Sequence, residues 1–422
     1  MLIHSAAQLL TLAGGPRRGA QLGALGLVAD GAVAVRAGRI VRAGPTAEVR
    51  AQVRARAELD ARGRVVLPGF VDPHTHAVWA GDRAHEFEQR LAGATYMELM
   101  AAGGGIMSTV RQTRAAGLDQ LVAETRPRLR RMLAHGTTTL EAKTGYGLEL
   151  DAELRQLDAL EQLAAEGPWT LVPTFLPAHA VPAEYAGRAD AYVDLVVDTL
   201  LPAAAARLPR WAARNLPVFC DVFCEDGAFT VAQARRVLER ARDLGFGLKV
   251  HADEFVGLGG TALAVELGAA SADHLVYTPE ADIAALGQGA TVAVGLPGTP
   301  FGLAQSDYTP AQKIIAAGGV LALASDLNPG TTWCENMQMV LALACRYMKL
   351  TPSQAIAAAT INAARAVRLE AEVGSLEPGK QADLLVLAVG DYRQLGYRYG
   401  GNLVQTVIKA GRVVVENAPA GA

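Results

Sequence analysis

The sequence predicts an α/β fold, a (β/α)8 barrel of the TIM type with a small β-sandwich domain formed from the N- and C-terminal segments. Eight apolar, strand-like runs follow one another through the middle of the chain, and helical stretches rich in Ala, Leu and Arg separate many of them. Such near-continuous apolar runs are typical of parallel strands that are buried on both faces. An open doubly wound sheet is the alternative arrangement of the same elements.

The predicted barrel strands share an apolar, β-branched composition. They are residues 65–72, 137–143, 170–177, 218–224, 247–251, 269–274, 290–296 and 320–326. Two helix starts between or after them fit a capping box, Thr230 with Gln233 and Thr351 with Gln354. In such barrels the chemistry lies at the carboxyl ends of the strands.

Both ends of the chain have a different texture, with short β-rich pieces and turn residues. In GLVADGAVAVRAGRIVRAG, Asp30-Gly31 separates two alternating apolar runs and predicts a hairpin turn. The last part of the chain returns to this texture in VGSLEPGKQADLLVLAV and LVQTVIKAGRVVVEN. We therefore expect residues 1–64 and 371–422 to form one composite β domain and residues 65–370 to form the barrel.

The composition excludes several classes of protein. Lys plus Arg number 39 against 42 for Asp plus Glu, a net charge of −3 over 422 residues, so no basic surface for nucleic acid or anionic membrane is indicated. The N-terminal segment has no basic region before its apolar stretch, which argues against a signal peptide. Four cysteines without a CxxC pattern suit buried thiols in a reducing compartment, so we expect a cytoplasmic protein.

Polar side chains collect where four of the predicted strands end. They are Asp72-Pro73-His74-Thr75-His76, His251-Ala252-Asp253-Glu254, Asp273-His274 and Ser325-Asp326. Alternate residues of a strand point to the same side, so His74 and His76 can reach one ion together. Satisfied core histidines would explain one such pair, but the further His and Asp residues favour a metal site. Imidazole nitrogens with a carboxylate suit Zn²⁺, Fe²⁺ or Ni²⁺ better than Mg²⁺ or Ca²⁺.

The run VLPGFVDPHTH, with HADE, SADHL and an Asp after the last strand, resembles the metal-dependent amidohydrolase superfamily. The resemblance covers the whole chain, including the β domain built from both ends. It implies one divalent or ferric metal ion per chain, Zn or Fe. The implied ligands are His74, His76, His251 and Asp326.

Longer segments resemble one family within this superfamily, the imidazolonepropionases of histidine degradation. They are GDRAHEFEQRLAGATYMELMAAGGGIMSTVRQTR, EAKTGYGLEL, PTFLPAHAVPAEY, DLNPGTTW and YRYGGNLVQTVIKAGRVV. The resemblance implies hydrolysis of the cyclic amide of 4-imidazolone-5-propanoate to N-formimidoyl-L-glutamate, and it suggests a homodimer. Two segments depart from the family pattern, GLPGTPFGLAQSDYTP and TTWCENMQ.

The same resemblance implies a set of substrate contacts and a pair of acid/base groups. The implied contacts are Arg83, Tyr96, Tyr146, His179, Glu254, Asn328, Gly330 and Thr331. Glu254 and His274 match the acid/base pair, and Asp326 can accept a proton as well as bind the metal. For Tyr96 and Tyr146 packing at the barrel rim is an equal alternative, and the position of His179 leaves its role open.

The chemistry of such a substrate supports these assignments independently. A cyclic amide that carries a propanoate needs an activated water, a proton donor for the leaving nitrogen and a cation for the carboxylate. Glu254 lies three residues after His251, close enough to shuttle a proton. Arg83 offers a bidentate fork for a carboxylate, and a solvated surface arginine is the alternative.

The sequence leaves two other functions open. A deaminase of a purine, pyrimidine or triazine ring would share the metal ligands, but a neutral ring needs no carboxylate clamp such as Arg83. A metal-free relative acting as an assembly scaffold is expected to have lost at least one ligand, and this sequence retains His74, His76, His251 and Asp326.

Overall fold

The structure, a computed structural model, describes residues 1–93 and 104–418, and its strands form two eight-stranded sheets. The strands are β1 (Leu2–Leu10), β2 (Leu27–Arg36), β3 (Arg39–Pro45), β4 (Glu58–Asp60), β5 (Val65–Pro68), β6 (Phe70–Asp72), β7 (Thr137–Lys143), β8 (Thr170–Ala178), β9 (Phe219–Cys224), β10 (Gly247–Ala252), β11 (Ser271–His274), β12 (Val292–Gly295), β13 (Leu321–Leu323), β14 (Leu384–Leu387), β15 (Val404–Lys409) and β16 (Arg412–Glu416).

The predicted barrel is confirmed. Strands β6 to β13 pair side by side in chain order, and every pairing between neighbours is parallel. A parallel bridge between Thr75 and Leu327 joins the two ends of this sheet, just beyond β6 and β13. The carboxyl ends of the strands therefore meet around one opening, where side chains from different strands can act together.

Helices follow most of the barrel strands and cover them. In the described part of the chain the α-helices are Thr46–Gln52, Ala84–Leu91, Ile106–Ala115, Leu118–Ala134, Leu150–Glu166, Ala189–Leu195, Leu201–Ala205, Leu208–Ala212, Val231–Asp243, Gly260–Glu266, Glu280–Gln288, Gly298–Gly302, Ala311–Ala316, Met337–Tyr347, Pro352–Ala358, Ile361–Ala366 and Gln394–Tyr397. Both predicted capping boxes are present, at Thr230 with Gln233 and at Thr351 with Gln354.

The two ends of the chain form the second sheet, as predicted. Its strand order is β16-β15-β14-β5-β1-β2-β3, with β4 paired to β1. The strands β15 and β16 form an antiparallel hairpin whose turn is Ala410-Gly411. Apolar residues of β1, β2, β5, β14 and β15 pack into one buried cluster, so neither end of the chain can bury its strands without the other.

The hairpin predicted at Asp30-Gly31 is wrong. Strand β2 runs without interruption from Leu27 to Arg36, and the chain turns later, at Ala37-Gly38. Gly31 instead allows β2 to lie close to β1, because a Cβ there would be 2.3 Å from the Cβ of Leu9 in β1. A glycine in a strand interior often marks such a contact, and its sequence pattern resembles that of a turn.

The predicted first barrel strand, residues 65–72, divides between the two sheets. Val65–Pro68 pairs with β1 and β14 in the terminal sheet, and only Phe70–Asp72 pairs with β7 in the barrel. The chain changes sheets at Gly69, whose N–H donates to the carbonyl of Asp383 at 3.0 Å. Both halves are buried and apolar, so composition cannot distinguish them. The proposed domain division at residue 65 stays a prediction.

Two further properties of the chain bear on the sequence analysis. Among the described residues no helix combines the length and the apolar character needed to cross a lipid bilayer. The four cysteines are free thiols, and Cys220 and Cys224 are buried while Cys334 and Cys345 are partly exposed.

Gly69→Ala tests the crossing between the two sheets. A Cβ at this position would lie 2.2 Å from Thr138 Oγ1 and 2.9 Å from Thr138 Cβ, and Thr138 is buried in β7. Because a packed strand yields little, we expect the free energy of unfolding in a chemical denaturation experiment to fall by about 1–3 kcal/mol. Gly401→Ala is the control, since Gly401 is exposed and has no atom within 4 Å of the added carbon. Equal stability of Gly69→Ala and the unchanged chain would contradict the close packing.

Candidate metal centre and active site

Three histidines and one aspartate meet at the carboxyl ends of the barrel strands. His74 and His76 follow β6, His251 lies in β10, and Asp326 follows β13. His251 Nε2 faces His76 Nε2 at 3.3 Å. Asp326 Oδ1 lies 3.5 Å from His74 Nε2 and 3.7 Å from His76 Nε2. The barrel thus brings together the four side chains that the sequence singled out. The donor atoms of His74, His76 and Asp326 lie within 4.8 Å of one another, and His251 forms such a group with His76 and His179.

The donor atoms of this cluster fit a metal ion. Within the described part of the chain, His74 Nε2 is buried without a hydrogen-bond partner. Burial holds the pKa of His74 and of His76 well below the ordinary 6.5, so both imidazoles are neutral. Neutral imidazole is the form that binds metals, and imidazoles with one carboxylate suit Zn²⁺ or iron.

Asp326 is oriented by its backbone and by a hydroxyl group. Its φ of 53° lies in the left-handed region, and its N–H donates to the carbonyl of His74 at 3.1 Å. The hydroxyl of Thr299 donates to Asp326 Oδ2, which leaves Oδ1 facing the imidazoles. Burial raises the pKa of Asp326 to about 6, and the Thr299 hydrogen bond opposes this rise.

Glu254 and His274 form a buried pair next to the cluster. Glu254 Oε2 lies 3.6 Å from His274 Nε2, and the His274 ring centroid is 5.2 Å from that of His251. Burial, together with the negative charge of Asp326, raises the pKa of Glu254 well above 4.5. Burial likewise holds the pKa of His274 well below 6.5. A carboxyl group with a raised pKa and a neutral imidazole are suited to proton transfer near neutral pH.

A buried carboxylate holds the loop that carries Glu254. Glu225 follows β9, and its oxygens accept the N–H groups of Phe255 at 3.0 Å and of Val256 at 3.1 Å. The backbone just after Glu254 is therefore fixed to the neighbouring strand. No pattern in the sequence pointed to Glu225.

Tyr146 and His179 pack against His76 of the cluster. The His179 ring stacks on His76 with centroids 4.7 Å apart, and the buried Tyr146 ring lies 5.7 Å from His76. Burial lowers the pKa of His179 to about 3, so this imidazole is neutral as well. Glu153 fixes the loop of Tyr146, because its carboxylate accepts the N–H groups of Gly147 at 2.7 Å and Leu148 at 2.9 Å.

Arg83 lies against the turn that follows Asp326. A Cβ on Gly330 would be 2.2 Å from Arg83 Nη1, so the glycine leaves room for the guanidinium group. Asn328 Oδ1 accepts the N–H groups of Gly330 and Thr331, both at 2.8 Å, and so fixes the turn. Arg83 Nε donates to Glu86 Oε2 at 3.0 Å. The structure thus brings Arg83, Asn328, Gly330 and Thr331 together, beside the metal cluster.

The unusual segment TTWCENMQ packs on the outside of this turn. Trp333 meets Trp79 edge to face with ring centroids 4.9 Å apart. The guanidinium carbon of Arg128 lies 3.5 Å from the Trp79 ring centroid, and its Nη1 donates to the carbonyl of Trp79 at 3.0 Å. Trp333 is 47% exposed, so it covers Trp79 at the protein surface.

One predicted contact lies outside the described residues, and several buried charged residues were not predicted. Tyr96, a predicted substrate contact, falls outside the described residues. Five fully buried charged residues inside the barrel had received no role, namely Glu141, Lys143, Asp221, Lys249 and Asp273. For four of them a signal was present, since charges interrupt otherwise apolar strands in TLEAK, FCDVFC and GLKVH, and Asp273 lies near the end of the strand SADH.

Comparison with known proteins identifies relatives of this chain. The profile of the amidohydrolase family matches residues 65–414. The imidazolonepropionase of Herpetosiphon aurantiacus is 56% identical over 416 residues, covering 99% of this chain and 97% of that protein. The imidazolonepropionase of Chloroflexus aggregans is 55% identical and covers 99% of both chains.

Solved structures show the same fold at low identity. Guanine deaminase of E. coli superposes with a TM-score of 0.74 at 16% identity, covering 99% of both chains. An adenosine deaminase of Xanthomonas campestris with bound zinc has a TM-score of 0.71 at 20% identity, covering 98% of this chain and 92% of that one. The family profile and the two imidazolonepropionases of 55–56% identity show that the chain belongs to the amidohydrolase family and, within it, to the imidazolonepropionases.

Proposed function

We propose that this chain hydrolyses the cyclic amide bond of 4-imidazolone-5-propanoate to N-formimidoyl-L-glutamate, a step of histidine degradation. The observation that carries the proposal is one strand-end face that joins the His/Asp cluster, the Glu254–His274 pair and Arg83. Each part answers one need of this substrate: an activated water, a proton carrier and a cation for the propanoate. The two relatives described above support the same activity.

His74, His76, His251 and Asp326 are proposed to hold one Zn or Fe ion. A metal ion bound at such a site would polarise the amide carbonyl and would lower the pKa of a coordinated water to near neutrality. The neutral imidazoles of His74 and His76, and Asp326 Oδ1, which faces His74 Nε2, support this assignment.

Glu254 is proposed to move the proton. Its carboxylate is buried beside His274, and burial together with the charge of Asp326 raises its pKa well above that of an ordinary carboxyl group. Asp326 is the second candidate for proton acceptance. Asp326 Oδ2 already accepts a hydrogen bond from the Thr299 hydroxyl, so Glu254 is the carboxylate with more free acceptor positions. His274 can hold the proton at Nε2 or stabilise oxyanion charge.

Arg83 is proposed to bind the substrate carboxylate, with Asn328, Gly330 and Thr331 forming the adjacent wall. Tyr146 and His179 lie against His76, where they can contact the ring and exclude water. Tyr96 is proposed as a further contact from its sequence match. A ring deaminase would share the metal cluster, but Arg83 favours a substrate that carries a carboxylate.

We also propose that the chain acts in the cytoplasm as a homodimer, on a small molecule and not on nucleic acid or membrane. The net charge of −3 and the free thiols support this environment.

Removal of a ligand tests the metal site. His251→Ala and Asp326→Ala should each abolish bound metal, measured by elemental analysis, and hydrolysis, followed by ultraviolet absorbance of freshly generated 4-imidazolone-5-propanoate. Circular dichroism should stay native, since catalytic metals contribute less to folding than structural ones. His135→Ala, remote from the cluster, should keep metal and activity. Full metal occupancy in either ligand variant would refute the assignment.

Arg83→Lys tests carboxylate recognition. It keeps the charge but loses the planar fork, so kcat/KM should fall by an amount equivalent to about 1.5–3 kcal/mol, as for hydrogen bonds to charged groups. Arg126→Ala is the control, because Arg126 forms a comparable pair with Glu166 away from the site. If Arg83→Ala turns over the substrate with unchanged kcat/KM, Arg83 does not bind the carboxylate.

Glu254→Gln tests the proton shuttle. Metal content should stay near that of the unchanged enzyme, while kcat falls roughly 10²- to 10⁴-fold. Glu254 accepts a proton only when ionised, so activity is lost as pH falls through its pKa. Because that pKa is raised, the acidic limb of the pH–rate profile should lie above pH 4.5 in the unchanged enzyme and be altered in Glu254→Gln.

Glu225→Gln is the matched comparison for this variant. It disturbs the backbone contacts to Phe255 and Val256 but leaves the Glu254 carboxyl group in place, so its acidic limb should persist. Weakened metal binding with an unaltered pH profile in Glu254→Gln would assign Glu254 to orienting His251 instead. Near-normal turnover would transfer the proton role to His274 or Asp326.

A further inference from the structure

One buried ammonium group lies beneath the histidine cluster and touches three carboxylates. Lys143 ends β7 and is fully buried. Its Nζ lies 2.6 Å from Glu141 Oε1, 2.7 Å from Asp221 Oδ2 and 3.7 Å from Asp273 Oδ2. None of the roles proposed above uses this lysine.

Two of these carboxylates each contact one imidazole of the cluster. Asp273 Oδ2 lies 2.7 Å from His74 Nδ1, and Asp221 Oδ2 lies 2.9 Å from His251 Nδ1. Asp221 Oδ1 also accepts the backbone N–H of His251 at 3.1 Å. The Asp273 contact is a hydrogen bond, and an ionised carboxylate can only accept, so His74 Nδ1 carries the proton and His74 Nε2 keeps a free lone pair for an ion. Asp221 holds His251 mainly through the hydrogen bond to its backbone N–H.

The third carboxylate holds the backbone between His74 and His76. Glu141 Oε2 accepts the N–H of Thr75 at 3.1 Å, and Thr75 Oγ1 donates to the Glu141 carbonyl at 2.6 Å. Thr75 separates His74 from His76, so its position sets the spacing of both rings. The contacts of Lys143 therefore reach all three imidazoles through intermediate groups.

Lys143 also balances charge within this cluster. A second buried lysine, Lys249, lies 3.8 Å from Asp273 Oδ2 but donates its hydrogen bond to the carbonyl of Pro73. The three carboxylates and two lysines leave one negative charge in excess. Without Lys143 the excess would be two, and Glu141 and Asp221 would face each other with no cation between them. Buried carboxylates in that state must move apart or take up protons.

We propose that Lys143 is a positioning residue, which fixes Glu141, Asp221 and Asp273 so that His74, His76 and His251 present Nε2 to one point. The inference rests on the metal site proposed above. It assigns the geometry of that site to a side chain that does not itself touch the ion or the substrate.

The test compares Lys143→Met with Lys409→Met in the full-length chain. Lys409 is the matched control, a buried lysine 2.7 Å from Asp383 in the terminal sheet. Zn²⁺ affinity is measured by competition with a chromophoric chelator, after metal removal. The dissociation constant should rise about 10- to 100-fold in Lys143→Met, as for other partners of ligating histidines, and stay unchanged in Lys409→Met. The visible absorption of bound Co²⁺ should change only in Lys143→Met, because it reports ligand geometry.

The outcomes separate this inference from the proposed function. If the unchanged chain binds no Zn²⁺, the metal site itself is wrong and the inference fails with it. If the unchanged chain binds Zn²⁺ and Lys143→Met binds it equally tightly with the same Co²⁺ spectrum, only the role of Lys143 is overturned. Should Lys143→Met fail to fold, Lys143→Met with Glu141→Gln restores the net charge of the cluster and carries the same expectation. Native Zn²⁺ affinity in that double variant would overturn the inference.

Discussion

The burial of charge inside the barrel is the constraint on which the rest of the structure depends. Removing an ion from water costs several kcal/mol even after relaxation, so each buried charge must find its partners. Here the partners come from different strands: Lys143 from β7, Asp221 from β9 and Asp273 from β11. They meet only if these strands keep one register. The register of the barrel strands therefore also sets the orientation of the candidate metal ligands.

The loops at the open end of the barrel are also held by buried polar groups, through hydrogen bonds to backbone N–H groups. A buried carboxylate or amide oxygen accepts neighbouring backbone N–H groups and stops the loop from moving. Glu153 does this for the loop of Tyr146, Glu225 for the loop after Glu254, and Asn328 for the turn beside Arg83. Left-handed backbone at His274 and Asp326 adds local strain, which such surroundings can hold in place. Groups that approach a substrate are thereby set before it binds.

Local patterns in the sequence predicted the fold where the signal is local. Apolar runs located the barrel strands, and the residues Thr230 and Thr351 marked helix starts because capping is a contact within one turn. The patterns failed where the deciding contact is distant. Asp30-Gly31 resembles a turn, yet Gly31 is required by Leu9 of another strand. Gly69 divides an apolar run between two sheets, because Thr138 packs against it.

The sequence by itself determined the barrel, the pairing of the two chain ends and the residue types that converge at the strand ends. It could do so because strand periodicity and strand-end position are properties of a few neighbouring residues. Only the tertiary structure decided which nitrogen of each histidine faces the cluster and which charges lie behind it. Those features depend on contacts such as His74 with Asp273 and Lys143 with Asp221, between residues 199 and 78 positions apart. No local pattern records such contacts, since they arise when closure of the barrel brings separate strands together.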